Sequence, residues 1–278
     1  MYQTPPPEDQ RTPRSGALSI EIVSHCWGYS RLLAYQLTSL IDHPITDARV
    51  RMTVFHSTED TETVKLLEFI AQHEVPNVTW NWQVLPKEHL FRRSIGRNQA
   101  ALSSDADWVW FTDCDMTFQA NCLDSLNAAL QGRQDALVHP HIESKTDAYA
   151  ADSASVPNAL ETPQLLRVDN TDFVHHIVTR ATGPLQITHG DTARAVGYCS
   201  DVAFYQKPQP SWQKADEDRM FRWLLGTPGV AIDVDGACRV QHIEKGRYAN
   251  TAGDTGTNSS ARKWVRTWQD QQRRNKDP

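Results

Sequence analysis

Four Asp-x-Asp triplets punctuate the sequence: Asp105/Asp107, Asp113/Asp115, Asp216/Asp218 and Asp233/Asp235. With aspartate this frequent, chance alone yields about two, so a triplet by itself reads equally well as a solvated turn. Asp113/Asp115 stands apart because of what precedes it. Trp108-Val109-Trp110-Phe111 is a run of four large apolar residues closed by Thr112, the pattern of a short strand buried on both faces. In extended chain residues i and i+2 project to the same side. Asp113 and Asp115 can therefore share one hard cation while Cys114 turns into the structure. Oxygen ligands at this spacing suit Mg²⁺ or Mn²⁺ carrying a diphosphate, and suit zinc poorly.

A second acidic group, Asp216-Glu217-Asp218, follows Trp212 and opens a helical pattern through Phe221 and Trp223 to Leu225. Carboxylates there are what a helix N-terminus favours for capping and dipole reasons, and they are also where a general base could stand. The histidines of His139-Pro140-His141 and His175-His176 have no third ligand at metal spacing and read as structural or surface residues.

These groups need a frame, and hydrophobic periodicity supplies one. Leu18 to Ser24, Arg49 to Phe55 and Val78 to Leu85 read as strands. Between them lie helices over Arg31 to Ile41, capped by Ser30, and over Thr61 to His73. A helix from Ile95 to Ser103 precedes the apolar strand, and Leu123 to Leu130 and Ala136 to His141 follow as helix and strand. The succession predicts an α/β fold with a mostly parallel central sheet flanked by helices and right-handed crossovers. Ligands of such sheets sit at the carboxyl ends of the strands. The stretch from Glu143 to Asn170 lacks periodicity and reads as a long loop. Phe173 to Ile187 is strand-like with a turn at Thr182-Gly183-Pro184, Asp191 to Val196 is a short helix, and Val230 to Val234 and Cys238 to Ile243 are the last strands.

Residues 1–16, with Pro5-Pro6-Pro7, read as a disordered arm. Residues 17–247 form a single catalytic-sized domain, and 248–278 a Gly/Asn/Thr/Ser linker with a basic tail carrying Trp264 and Trp268. That tail offers a peripheral membrane contact or a helix docked on its own domain. A formal charge of −6 argues against a dedicated nucleic-acid binder. No apolar run is long enough to span a bilayer and the start lacks a signal-peptide core, which makes the cytoplasm the expected location. Five scattered cysteines without a Cys-x-x-Cys pair imply reduced, mostly buried thiols.

Taken in order, these pieces resemble the family-2 glycosyltransferases and their GT-A relatives, including the β-1,4-galactosyltransferases, over roughly Leu18 to Arg247. Gly96-Arg97-Asn98-Gln99-Ala100 resembles the family's Ala-Arg-Asn helix start, and Asp113-Cys114-Asp115 stands at its Asp-x-Asp. Thr188 through Ala193-Arg194-Ala195-Val196-Gly197-Tyr198 is similar to the helix ending in Gly-Gly-Phe. Glu217-Asp218 looks like the Glu-Asp pair, and Gln241-His242-Ile243-Glu244-Lys245 resembles the late His-x-x-Asp-Lys. The resemblance implies a GT-A-type, Rossmann-like fold and a metal-dependent transfer of a sugar from a nucleotide-diphosphate sugar, a UDP-sugar above all, to a saccharide or other hydroxyl acceptor, with inversion.

It also implies roles. Asp113, Asp115 and His242 would hold Mn²⁺ (or Mg²⁺), and Asp218 would be the base, with Glu217 binding the acceptor or steering Asp218. Arg97 would contact the diphosphate or brace Asp113. Trp212 would stack on the acceptor sugar or pack in the core. Two departures fall where such enzymes bind the nucleoside. Ser24-His25-Cys26 replaces Pro-Thr-Tyr, and Phe55-His56-Ser57-Thr58-Glu59-Asp60 lacks the aspartate pair that reads the base, which leaves His25, His56 and Ser57 as donor contacts. A nucleotidyltransferase making sugar nucleotides is the alternative, and predicts a Gly-rich loop where Ser24 to Ser30 holds only Gly28. A non-catalytic nucleotide or sugar binder is the third reading.

Overall fold

Strand and helix alternate from the first residues of the domain. The computed structural model describes residues 2–147, 162–212 and 215–241. The chain divides into two units, Met1–Arg247 and Tyr248–Pro278. The second unit, with the expected linker and basic tail, lies outside the described residues.

The first half runs β1 (Ser19–His25), α1 (Ser30–Asp42), β2 (Arg49–His56), α2 (Thr61–Ile70), β3 (Val78–Val84), α3 (Lys87–Leu90), α4 (Arg93–Ser103) and β4 (Trp108–Phe111). It continues through β5 (Met116–Phe118), α5 (Cys122–Leu130), β6 (Leu137–Pro140), β7 (Ile142–Lys145) and β8 (Val174–Ile177). It ends with β9 (Gln186–His189), α6 (Gly190–Val196), α7 (Glu217–Leu224), β10 (Val230–Ile232) and β11 (Ala237–Arg239). Seven strands form the central sheet in the order β10-β6-β9-β4-β1-β2-β3. β9 runs antiparallel to β4 and β6, and every other pairing is parallel. A four-stranded sheet, β5-β11-β7-β8, stands beside it.

β4 shows why the sequence folds this way. All four of its residues are buried, and alternation divides them between two cores. Trp108 and Trp110 join the core built with α1, α2 and α5, and Val109 and Phe111 the core built with α4, α6 and α7. Each such aromatic side chain contributes about 1.5–3 kcal/mol by leaving water. The indole N–H of Trp110 donates to the Pro184 carbonyl at 2.9 Å, so its one polar atom is satisfied.

Several boundaries differ from the sequence reading. Tyr29, not Ser30, is the N-cap of α1 and makes no side-chain cap bond, whereas Asp60 caps α2 by accepting from Thr63 N. α7 begins only at Glu217. The stretch expected to be a loop from Glu143 begins as strand β7, because β8 and β11 pair with it from distant parts of the chain. The arm expected to be disordered is tied down over residues 3–14. Thr12 N donates to Asp191 at 2.8 Å, Gly132 N donates to the Arg14 carbonyl at 2.7 Å, and Arg11 is buried. Backbone bonds to the domain hold it, and composition carries no trace of them. Among the described residues, no helix is long and apolar enough to cross a membrane.

Candidate active site

The first three strands wind outward from β1 in one direction, and β4 returns to its other side. The chain therefore reverses direction between β1 and β4, and a crevice opens outside their carboxyl ends, the usual ligand position in such sheets. Here a cleft is lined by His25 at the end of β1, by Cys26 after it, and by Asp113, Cys114 and Asp115 after β4. Trp27, Tyr29, Leu32, Leu90, Phe91, Arg93 and Trp212 complete its walls.

The Asp113-Cys114-Asp115 turn is pinned from three sides. Gln36 of α1, itself fully buried, donates to the Asp113 carbonyl at 3.0 Å and accepts from Ser24 Oγ at 2.7 Å. Val240 N donates to the Asp115 carbonyl at 2.9 Å, fastening the turn to the end of β11. The third side is the N-terminal half of α4. Arg97 is fully buried, and its Nη2 donates to Thr112 O at 3.0 Å, Asp113 Oδ1 at 3.1 Å and Gly183 O at 3.2 Å. Its Nη1 donates to the Tyr198 hydroxyl at 2.9 Å. Arg97 thus braces Asp113, and burial takes it out of reach of a diphosphate in the cleft.

Arg93 was not found by sequence reasoning. Its Nη1 also donates to Asp113 Oδ1, and its Nε donates to Glu217 Oε1 at 3.2 Å. Burial opposes its charge, but Asp113 and Glu217 overcome that and raise its pKa above the ordinary arginine value. A usable signal did exist: Arg93 and Arg97 are spaced i, i+4 and so share a helix face.

His25 reaches the cleft from β1, with its ring stacked on Phe55 at 5.0 Å. Burial, then the nearby charges of Arg97 and Arg93, hold its pKa well below 6.5, so the ring is neutral at pH 7. Gly96 makes room for it, since a Cβ there would lie 2.3 Å from His25 Nε2. Cys114 turns inward as expected and is buried with Cys26, and all five cysteines are free and buried. On the apolar side Trp27 meets Phe91 edge-on at 5.6 Å, and Trp212 lines the cleft.

The remaining expected residues fall elsewhere. Asp218 is turned toward Arg222 on its own helix, with Oδ2 accepting at 3.2 Å. The carboxylate linked to the cleft arginine is Glu217, whose residue is 3% exposed. His56 ends β2 and Ser57 follows it, and neither lines the cleft; His56 is buried, and Ser57 Oγ accepts from Glu59 N. His242 lies outside the described residues. The other triplets have local work. Asp105 pairs with Arg51, Asp107 with Ser19, Asp216 with Arg219, and Asp235 with Asn121.

One oxygen of Asp113 already accepts from two guanidiniums, those of Arg93 and Arg97. Among the described residues, no group of three or more His, Cys, Asp or Glu side chains is gathered to hold a metal.

No protein-family model matches the chain, and no curated protein matches it. Among solved structures, the crystal structure of residues 1–349 of S. aureus TarS aligns with a TM-score of 0.40 at 14% identity. The match covers 81% of this chain, and the chain spans 58% of the length of that structure.

Proposed function

We propose that this cleft transfers a sugar from a nucleotide-diphosphate sugar to an acceptor hydroxyl. One observation carries the reading: the Asp113/Asp115 pair follows a fully buried strand at the point where the sheet reverses direction. The GT-A resemblance drawn from the ordered motifs fits that placement. The nucleotidyltransferase alternative is weakened at Gly28, whose amide donates to Asp60 at 2.7 Å in place of a phosphate.

In this reading the bond from the anomeric carbon to the donor phosphate oxygen breaks as the acceptor oxygen bonds to that carbon from the opposite face, which inverts it. The acceptor proton passes to a carboxylate. Glu217, whose partner Arg93 lines the cleft, is taken as the base in this reading, while Asp218 faces Arg222 on its own helix. General-base assistance of this kind is worth about 10²–10⁴ in rate. Asp115 would hold Mn²⁺ or Mg²⁺, with His242 as a further ligand, and the ion would neutralise charge on the leaving diphosphate. Arg93 adds a fixed positive charge on the cleft wall. Trp27, Phe91 and Trp212 offer flat surfaces for a base or a sugar, and a UDP-sugar remains the first donor to try.

The test is thermal stabilisation by nucleoside diphosphates and nucleotide sugars, each with and without Mn²⁺, since a ligand of the folded state raises the melting point by mass action. One nucleotide shifting the melt only with Mn²⁺ is the expected result. No shift with any nucleotide would remove the transferase reading.

A further inference from the structure

Two arginines meet Asp113, and they are not equivalent. Arg97 is fully buried and spends its guanidinium on four acceptors from three parts of the chain: Thr112 and Asp113, Gly183, and Tyr198. Arg93 lies on the cleft wall with its side chain 21% exposed, and its partners are two carboxylates, Asp113 and Glu217. Asp113 would keep one arginine if Arg93 left. Glu217 is 3% exposed and Arg93 is the cation bonded to it, so its carboxylate is committed to that arginine.

We propose that Arg93 is an exchange residue, holding Glu217 until a ligand arrives and then transferring to the diphosphate of that ligand. This rests on the transferase reading of the same cleft. A diphosphate carries more charge than one carboxylate and presents several acceptor oxygens, which suit the planar fork of a guanidinium. Moving Arg93 to it leaves Arg97 to hold Asp113, so the turn keeps its shape. The same movement releases Glu217 to accept a proton. The acceptor hydroxyl is then activated only after the donor has bound, which restrains loss of the sugar to water.

Competition between Glu217 and the ligand for one cation gives the proposal its sign. Removing the arginine weakens diphosphate binding, and neutralising the carboxylate strengthens it. The probe is inorganic pyrophosphate, titrated calorimetrically in the presence of Mn²⁺ into the full chain, Arg93→Met and Glu217→Gln. Arg93→Met is expected to lose about tenfold or more in affinity, and Glu217→Gln to gain about three- to tenfold. The gain is the informative arm, because a misfolded variant does not bind more tightly. Unchanged or weaker binding by Glu217→Gln would overturn the exchange, as would full affinity in Arg93→Met.

Nucleoside diphosphates and nucleotide sugars run in parallel separate the two ideas. Nucleotide binding with no opposed effects of the two substitutions sinks the exchange and leaves the transferase reading standing. The opposed effects on pyrophosphate, with no nucleotide or nucleotide sugar bound, sink the transferase reading alone. If the wild-type chain binds no pyrophosphate, the exchange fails, and the nucleotides alone decide the transferase reading.

Discussion

Replacing Arg97 with methionine removes the charge while keeping an unbranched side chain, and its cost follows from the contacts. Four hydrogen bonds disappear, at 2.9, 3.0, 3.1 and 3.2 Å. Tyr198 keeps its bond to Gln186 at 2.7 Å, and Asp113 keeps Arg93. The carbonyls of Thr112 and Gly183 lose a donor beneath the cleft, and an unsatisfied buried acceptor costs about 1–3 kcal/mol. Methionine recovers part of this, because a buried guanidinium no longer has to be desolvated. The net loss expected is about 3–5 kcal/mol, the range for removing one partner from a buried ionic network.

That is a large share of the roughly 5–15 kcal/mol that holds a domain folded. Arg97→Lys keeps the charge but not the fork, and is expected to lose about half as much. Equilibrium unfolding in urea, with slopes compared to detect loss of two-state behaviour, measures both. An Arg97→Met chain within about 1 kcal/mol of wild type would refute the claim that this side chain is the brace of the site.

Gly96→Ala gains about 1 kcal/mol of helix propensity but drives a Cβ to 2.3 Å from His25 Nε2 and 3.0 Å from the Phe55 ring. Overpacking costs about 1–3 kcal/mol. Net destabilisation and weaker nucleotide binding are therefore expected in urea unfolding and ligand-induced melting shifts, and a more stable variant would contradict the close approach. The pH dependence has a definite sign. His25, His56, His139 and His189 all have pKa values below 6.5, chiefly through burial. Below pH 6.5 the unfolded chain binds protons that the folded chain refuses. Stability is therefore flat above that pH and falls below it, by up to about 1.4 kcal/mol per histidine per pH unit until each folded pKa is reached. Melting temperatures from pH 8 to 5 test this, and a melt that rises on acidification from pH 6.5 would be the contrary result.

The sheet and the carboxylate turn that follows β4 were legible in sequence because both are written locally. Trp108 to Phe111 announces a doubly buried strand by composition, and Asp113 and Asp115 follow it directly. The Arg93 bridge was harder to see, since its two carboxylates lie 20 and 124 residues away along the chain. Asp218 was favoured over Glu217 because the two are adjacent and chemically alike. Only the direction in which α7 presents them, one to Arg222 and the other to Arg93, separates their surroundings. The arm before β1 was misjudged for a similar reason, being held by backbone donors that side-chain composition does not record.

By itself the sequence determined the alternation of elements, the two-faced burial of β4 and the reduced state of its cysteines, since hydrophobic period and residue spacing act over a few residues. Tertiary structure alone decided which strands flank β4, where the crevice opens, and which arginine meets which carboxylate. Those depend on long-range closure of the chain, where side chains far apart in sequence compete for the same partner and only packing selects the winner.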